Sequence, residues 1–438
     1  MRLLVVLAAV SAAAAMTVPA AAEPFSPPVS VDVPFPDFSG MQMATAGDQV
    51  LIGSGPSLFA DSGDALTPTA PPPVPSRVTE TLLATGGSTT VAAWRRESPK
   101  PYAGIEAAVR SAGGAWSAPM VIADESAGGT RAPALAVDER GAAVVAFVRG
   151  TAASHLNLYG ELAVSYRPHD GAFSTPRVIS PRSAARQVAI GADGQAAVTW
   201  RDAGRVRVVL LDRRGVGLPQ TLGQGQDQAV AVRPDGAVLV AWTRYVAHVT
   251  GRVSRPTGIV EAAFRPAGGR FGRPRRVAAI YRTSFSRPRV VIAGARAVVT
   301  WAVHDTPGGR SRTRLWQRAV PGAAPAAVLV DGVSREYDTD VIGRPDGRLA
   351  AAWTTQGGHG LPLRPWAGSG PVGTMLRGVR VDGPGAPAGS HVGQMAPTPG
   401  SSDIHIAAGP GAGLTVAWMT YGPDPGRARV SAATEPLG

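Results

Sequence analysis

The stretch that decides the fold runs Ala134-Leu135-Ala136-Val137, then Asp138-Glu139-Arg140-Gly141, then Val144-Val145-Ala146-Phe147. Two short apolar runs flank a turn that ends in glycine, and glycine accepts positive φ at no steric cost, so the segment reads as a β-hairpin. Its second half returns along the chain as Val91-Ala92-Ala93-Trp94, Ala197-Val198-Thr199-Trp200, Leu239-Val240-Ala241-Trp242, Val298-Val299-Thr300-Trp301, Ala350-Ala351-Ala352-Trp353 and Thr415-Val416-Ala417-Trp418. Matching turns precede it at Gly191-Ala192-Asp193-Gly194, Arg233-Pro234-Asp235-Gly236 and Arg344-Pro345-Asp346-Gly347. Self-similarity at a period of about fifty residues marks a repeat architecture. A large ring at one place in every repeat suits packing between neighbouring repeats better than ligand stacking.

After each aromatic comes a variable loop, a third strand, a Gly-rich turn and a fourth strand. Clear copies are Ile105 to Arg110 with Gly113 to Pro119, Ala163 to Arg167 with Gly171 to Pro176, and Val260 to Arg265 with Gly268 to Pro274. Four antiparallel strands in every roughly 40 to 60 residues is the signature of a β-propeller blade. A stack of two-sheet sandwiches would not demand the same four-part order each time. A weaker copy precedes the seven obvious ones, from Met41 to Val74, with Gly53 standing where the others have the aromatic. The last copy, Ile404 to Thr434, supplies three strands, and Val29 to Pro34 is the natural donor of the fourth, because an unpaired edge invites aggregation. This gives an all-β propeller of eight blades, or seven if residues 40 to 77 are only a linker.

The first residues read as a secretory signal: Arg2 as charged n-region, Leu3 to Val10 as apolar stretch, and Ala20-Ala21-Ala22 as cleavage site, so residues 1–22 are expected to be removed and 23–438 to form a single propeller domain. Nothing later approaches the roughly 18 continuous apolar residues of a membrane span. The expected location is secreted, periplasmic or cell-wall associated. No cysteine is present, which excludes a disulfide framework and thiolate chemistry. Net charge is +12, but Lys100 is the sole lysine and the arginines are scattered. That bias is what a GC-rich genome writes by default, and it argues against nucleic acid as the partner.

The turn between third and fourth strands, with Ser111-Ala112-Gly113-Gly114-Ala115-Trp116 as its nearest copy, resembles the Asp-box of sialidase-like propellers, one residue shorter and without the aspartate. It is also similar to repeats of secreted actinobacterial propellers. The resemblance implies a propeller, and by extension an arginine triad, a Tyr nucleophile assisted by Glu, and an Asp acid. The family's Phe/Tyr-Arg-Ile-Pro motif is missing near the start. Tyr166-Arg167-Pro168 and Phe264-Arg265-Pro266 lack its isoleucine, and the nearest Tyr and Glu are the adjacent Glu336-Tyr337, which alternate faces on a strand.

Counting about twelve to sixteen residues back from each aromatic finds Glu80, Arg131, Arg186, Asp227, Arg289, Asp340 and Asp403, a charge where each first strand begins at the channel mouth. Arg131, Arg186 and Arg289 suit a carboxylate or phosphate, and Asp227, Asp340 and Asp403 suit sugar hydroxyls or acid–base work. The plain alternative is that exposed strand ends carry charges that satisfy one another at roughly 0 to 1 kcal/mol per pair. Loops after the aromatics add Arg95, Arg96, Glu97, Arg201, Asp202, Arg244, Tyr245, His304 and Asp305. Two long loops, Arg244 to Gly258 and Thr354 to Gly373, carry Arg252, Arg255, His359 and Trp366. The seven histidines show no metal spacing and no calcium ladder or phosphate loop is present, so no cofactor is expected. The reading is a monomeric binding module for carbohydrate or protein, with a sialidase-like hydrolase or a purely structural propeller as alternatives.

Overall fold

The computed structural model describes residues 29–34, 41–46, 49–54, 57–61, 65–74, 78–96, 104–111, 113–124, 130–150, 160–250, 253–281, 284–285, 287–305, 312–322, 325–333, 336–356, 373–382, 394–399, 401–408, 413–421 and 427–434. Among them there are strands and turns and no helix. Blade 1 is Met41–Ala46, Gln49–Ser54, Ser57–Asp61 and Leu66–Pro68. Blade 2 is Val78–Gly86, Thr89–Arg96, Gly104–Ser111 and Met120–Ala123. Blade 3 is Thr130–Val137, Ala143–Arg149, Gly160–Arg167 and the first part of Arg177–Ile190. That long strand then opens blade 4, pairing with Gly160 through Ser183 and with Arg201 through Ala184. Ala196–Asp202, Arg205–Asp212 and Gln220–Gln224 complete blade 4.

Blade 5 is Gln226–Val232, Val238–Thr250, Val253–Arg265 and Arg275–Tyr281. Blade 6 is Arg289–Ala293, Arg296–Asp305, Arg312–Ala319 and Ala327–Val333. Blade 7 is Glu336–Gly343, Leu349–Gln356, Gly373–Asp382 and Gln394–Pro399. Blade 8 is Ser401–Ala408, Leu414–Tyr421 and Arg427–Thr434, closed by Val29–Pro34, which pairs antiparallel from Val29↔Ala432 to Pro34↔Arg427. The first strands touch in order from blade 1 to blade 8, and blade 8 returns to blade 1, so the ring holds eight blades. The seven-blade alternative fails because residues 41–68 form a complete four-stranded sheet.

The core follows from this ring. Alternate residues of each second strand face opposite neighbours, so buried apolar side chains gather into eight clusters, one between each pair of adjacent blades. Trp94, Phe147, Trp200 and Trp242 are fully buried, Trp301 and Trp418 nearly so, and each packs toward the preceding blade. The Trp353 side chain lies outside the described residues. Gly53 does not occupy the aromatic's place. Ile52 packs toward blade 8 and Leu51 toward blade 2, so Gly53 shares Leu51's face and looks onto blade 2.

Gly53 lines a small cavity with Gln42, Leu58, Pro72, Thr81 and Leu83, and a Cβ built there would sit 3.8 Å from Leu83 and 3.9 Å from Leu58, ordinary van der Waals distances. Glycine inside a strand also loses more backbone entropy on folding than alanine. Gly53→Ala is therefore expected to stabilise the protein by about 0.5–1 kcal/mol, read as a higher urea midpoint; a lower midpoint would show that the cavity is not available.

Turn chemistry explains two of the sequence signals. Ser117 and Ser174 close the turn between third and fourth strands through paired backbone contacts, Ser117 N–H to Val109 O at 2.8 Å and Ser174 N–H to Tyr166 O at 2.8 Å. Arg167 donates to Gly141 O at 2.6 Å and Arg265 to Gly236 O at 3.2 Å, each satisfying the carbonyl of a hairpin glycine with positive φ. The Tyr-Arg-Pro and Phe-Arg-Pro phrases are thus braces for the first hairpin, at the end of the channel opposite the mouth.

Candidate functional site

Strand register sorts the candidate charges into levels along the channel. Glu80 pairs with Arg95 and Arg131 with Val148, one residue beyond the aromatics, while Arg186 lies opposite Trp200. Asp227 falls in a register shift opposite Trp242, and Asp403 in one between Ser402 and Ile404. Arg289 pairs with Thr300 and Asp340 with Ala352, one residue short of the aromatics. The charges form a staggered band rather than one ring, because first-strand bulges change the count from blade to blade. Tyr337 sits at a further shift, between Glu336 and Asp338. The side chains of Glu80, Arg131, Tyr337 and Asp403 lie outside the described residues, as do those of Arg252, Arg255 and Asp305 and residues 357–372 with His359 and Trp366.

Exact register brings together one set that counting only half found. Arg289, Asp340 and His405 occupy the same position on three consecutive first strands, each opposite the residue before the aromatic. Each shares the face of its strand that looks onto the next blade. Asp340 Oδ1 accepts from Arg289 at 2.6 Å and from the Val341 N–H at 3.0 Å. Its Oδ2 accepts from the Ile406 N–H at 3.1 Å, with His405 Nδ1 at 3.6 Å. First strands are inner edges whose outward N–H groups have no ladder partner, so the carboxylate caps the neighbouring blade and joins blades 6, 7 and 8. Asp340 is 14% exposed and Arg289 48%.

Burial alone raises the Asp340 carboxyl, yet the His405 hydrogen bond, the Arg289 charge and the Ile406 N–H together hold it below the ordinary carboxylate range. A depressed folded value means that its stabilisation is complete above the unfolded pKa of about 3.9 and is lost as pH falls through the folded one. Asp340→Asn is expected to cost about 1–3 kcal/mol at pH 7, with the gap to wild type narrowing in acid. Denaturant unfolding at neutral pH and near pH 3 measures both; a gap that widens in acid contradicts the assignment.

A second set lies on blades 4 to 6. Asp227, held at a φ of 52° that aspartate tolerates, is 3.3 Å from Arg287 Nε. Arg201 donates to Gln226 Oε1 at 3.2 Å, linking blades 4 and 5. Gln226 also hydrogen-bonds Tyr245, whose phenol is raised above its usual value by burial and the Asp227 charge. Tyr245 is 49% exposed, and Arg287 84%. Arg186 is half-buried on the same strand as Ser183, whose Oγ, like the Thr243 Oγ1, is buried with no partner among the described residues.

Arg244 faces elsewhere. Glu261 stands opposite Trp242 and accepts the indole N–H at 3.1 Å, while its other oxygen takes Arg244 at 2.9 Å. Blade 2 repeats the arrangement with Trp94, Glu106 and Arg96, at 3.0 Å and 2.9 Å. Blade 4 reverses it. Arg207 stands opposite Trp200 and pairs with Asp202 at 3.2 Å, which leaves the Trp200 Nε1 without an acceptor among the described residues. The Glu261 and Glu106 pairs thus hold the aromatic rather than the mouth.

Sequence reasoning missed Arg287, Gln226 and His405. A signal existed for two of them: Arg287 lies two residues before Arg289, just ahead of its strand, and His405 lies at the Asp340 offset from Trp418. Among the described residues, no cluster of three acidic or His side chains could hold a metal, and no helix is long and apolar enough to cross a membrane. Burial lowers the His304 imidazole below its usual value.

No family model matches the chain, and no curated protein matches it in sequence. Among solved structures, the Dos1 propeller is 10% identical with 93% of this chain and 94% of that one covered, at a TM-score of 0.45. The polysaccharide lyase Uly1 is 8% identical over 93% and 99%, at 0.44. The β-propeller domain of the Trilobed protease from Pyrococcus furiosus is 9% identical over 78% and 89%, at 0.42. The propeller here rests on sheet order and register, and nothing about the site is drawn from these likenesses.

Proposed function

We propose that this propeller is an exported binding module that takes an extracellular carbohydrate or protein at its channel mouth. The observation that carries this reading is the arc of paired polar groups at one end of the channel: Arg201 with Gln226, Asp227 with Arg287, and Asp340 with Arg289 and His405. Fixed donors and acceptors on a rigid scaffold, beside a half-exposed Tyr245, suit a ligand rich in hydroxyl or amide groups. A sialidase-like hydrolase makes demands on Tyr337 and Arg131, whose side chains lie outside the described residues, and no geometry among the described residues favours it.

The test is a solution screen of glycans and extracellular-matrix proteins, comparing wild type with an Asp227→Ala, Arg289→Ala variant. The mouth reading expects at least one ligand whose binding the variant loses. Equal binding by both proteins would place the ligand elsewhere, and a wild type that binds nothing would leave the structural propeller as the better account.

A further inference from the structure

The mouth carries both signs of charge, and their pairing restricts what it can hold. Asp227 lies against Arg287 at 3.3 Å, and Asp340 against Arg289 at 2.6 Å. Arg201 is directed at the neutral amide of Gln226. A carboxylate or phosphate approaching Arg287 or Arg289 must therefore also approach Asp227 or Asp340, and the like-charge repulsion offsets what the guanidinium offers. Asp340 is fixed there by two backbone N–H groups and cannot swing away without uncapping blade 8.

A hydroxyl pair meets no such conflict. A carboxylate beside a guanidinium sets an acceptor and donors next to each other, and neighbouring sugar hydroxyls each supply one donor and one acceptor at a similar spacing. Tyr245 stands beside Asp227 with about half of its surface open, a ring face on which the C–H face of a pyranose can lie.

We propose that the mouth binds an uncharged glycan, with one sugar ring on Tyr245 and its vicinal hydroxyls on the Asp227–Arg287 pair, and a further residue of the chain over Arg289 and Asp340. This deepens the carbohydrate reading above and rests on it. It runs against the acidic sugar that the resemblance to sialidase-like propellers implies.

The experiment uses the full chain and two probe sets in calorimetric titration: cellohexaose, laminarihexaose, xylohexaose and mannohexaose as neutral ligands, hexagalacturonate and 3′-sialyllactose as anionic ones. At least one neutral probe is expected to bind, insensitive to salt, and to weaken by about tenfold or more in Tyr245→Ala. Arg287→Ala, at a largely exposed position, serves as a second variant and is expected to weaken the same probe. Tighter binding of an anionic probe, falling as salt rises, overturns the uncharged-ligand inference while leaving a carbohydrate-binding mouth in place. Neutral binding unchanged in both variants overturns the placement on Tyr245. Binding of no glycan in either set overturns the carbohydrate reading itself.

Discussion

Trp242→Ala is expected to lower stability by about 3–5 kcal/mol, the usual cost of emptying a large aromatic site in a core that cannot collapse. The ring is fully buried between blades 4 and 5, among Val206, Val208, Leu222, Val238 and Val240. The backbone at Gly223 and Gly225 lies directly on it, since an added Cβ would crowd the indole at 3.1 Å from Gly223 and collide with it from Gly225. Gly223 belongs to the last strand of blade 4 and is held by its ladder to Arg205 and Val206, and Gly225 just beyond it donates its N–H to Gly204 O at 2.8 Å, so this backbone cannot follow the ring inward. The loss also strips Glu261 and the Gln224 carbonyl of a donor. Urea unfolding followed by far-UV circular dichroism measures the change. Trp242→Phe and Trp200→Phe form the matched pair that isolates the hydrogen bond: both shrink a fully buried indole by the same volume, but only at Trp242 is a hydrogen-bonded N–H lost, so that change is expected to cost about 1 kcal/mol more. A small effect at Trp242, or an equal one at both sites, would remove the distinction between a ring that only fills space and a ring that is also hydrogen-bonded.

The repeated aromatic made the fold legible because blade packing imposes one requirement seven times, and a repeated requirement leaves a repeated residue. Closure by Val29–Pro34 was legible for the same reason: a three-stranded last copy leaves an edge that something must cover. The site was less so. Counting back from Trp301 and Trp353 reached Arg289 and Asp340, which pair across blades, but from Trp418 the count ran on to the next formal charge, Asp403, past His405, which stands at the Asp340 offset. A window several residues wide lets a charge outrank a neutral side chain at the right register, and only strand pairing tells the two apart. Arg244 illustrates the other gap: its distance from Trp242 places it on the second strand, but only the strand opposite, with Glu261, decides which way its charge is used.

Deleting residues 29–34 is expected to have an equally large effect of a different kind. Val33 is buried in the cluster between blades 8 and 1 with Met41, Val50 and Val430, and burying such a side chain contributes about 1.5–3 kcal/mol by itself. Around it, Ser30 and Ser431 hydroxyls meet at 2.8 Å, and Asp32 takes Arg429 at 2.8 Å. Without the strand, the six-residue edge opposite it, from Arg427 to Ala432, loses its ladder while Ala428, Val430 and Ala432 lose their cover. An edge of that length with small apolar side chains is a template for pairing with another chain. The truncated protein is therefore expected to fall in stability by more than about 3 kcal/mol and to run as larger species than the full chain in size-exclusion chromatography with light scattering. Adding a synthetic peptide of residues 23–36 is expected to restore both properties, since the docking edge is otherwise complete. Truncation that leaves unfolding and size unchanged would mean that the ring closes without this strand, and that the pairing of Val29–Pro34 with blade 8 contributes nothing to holding it shut.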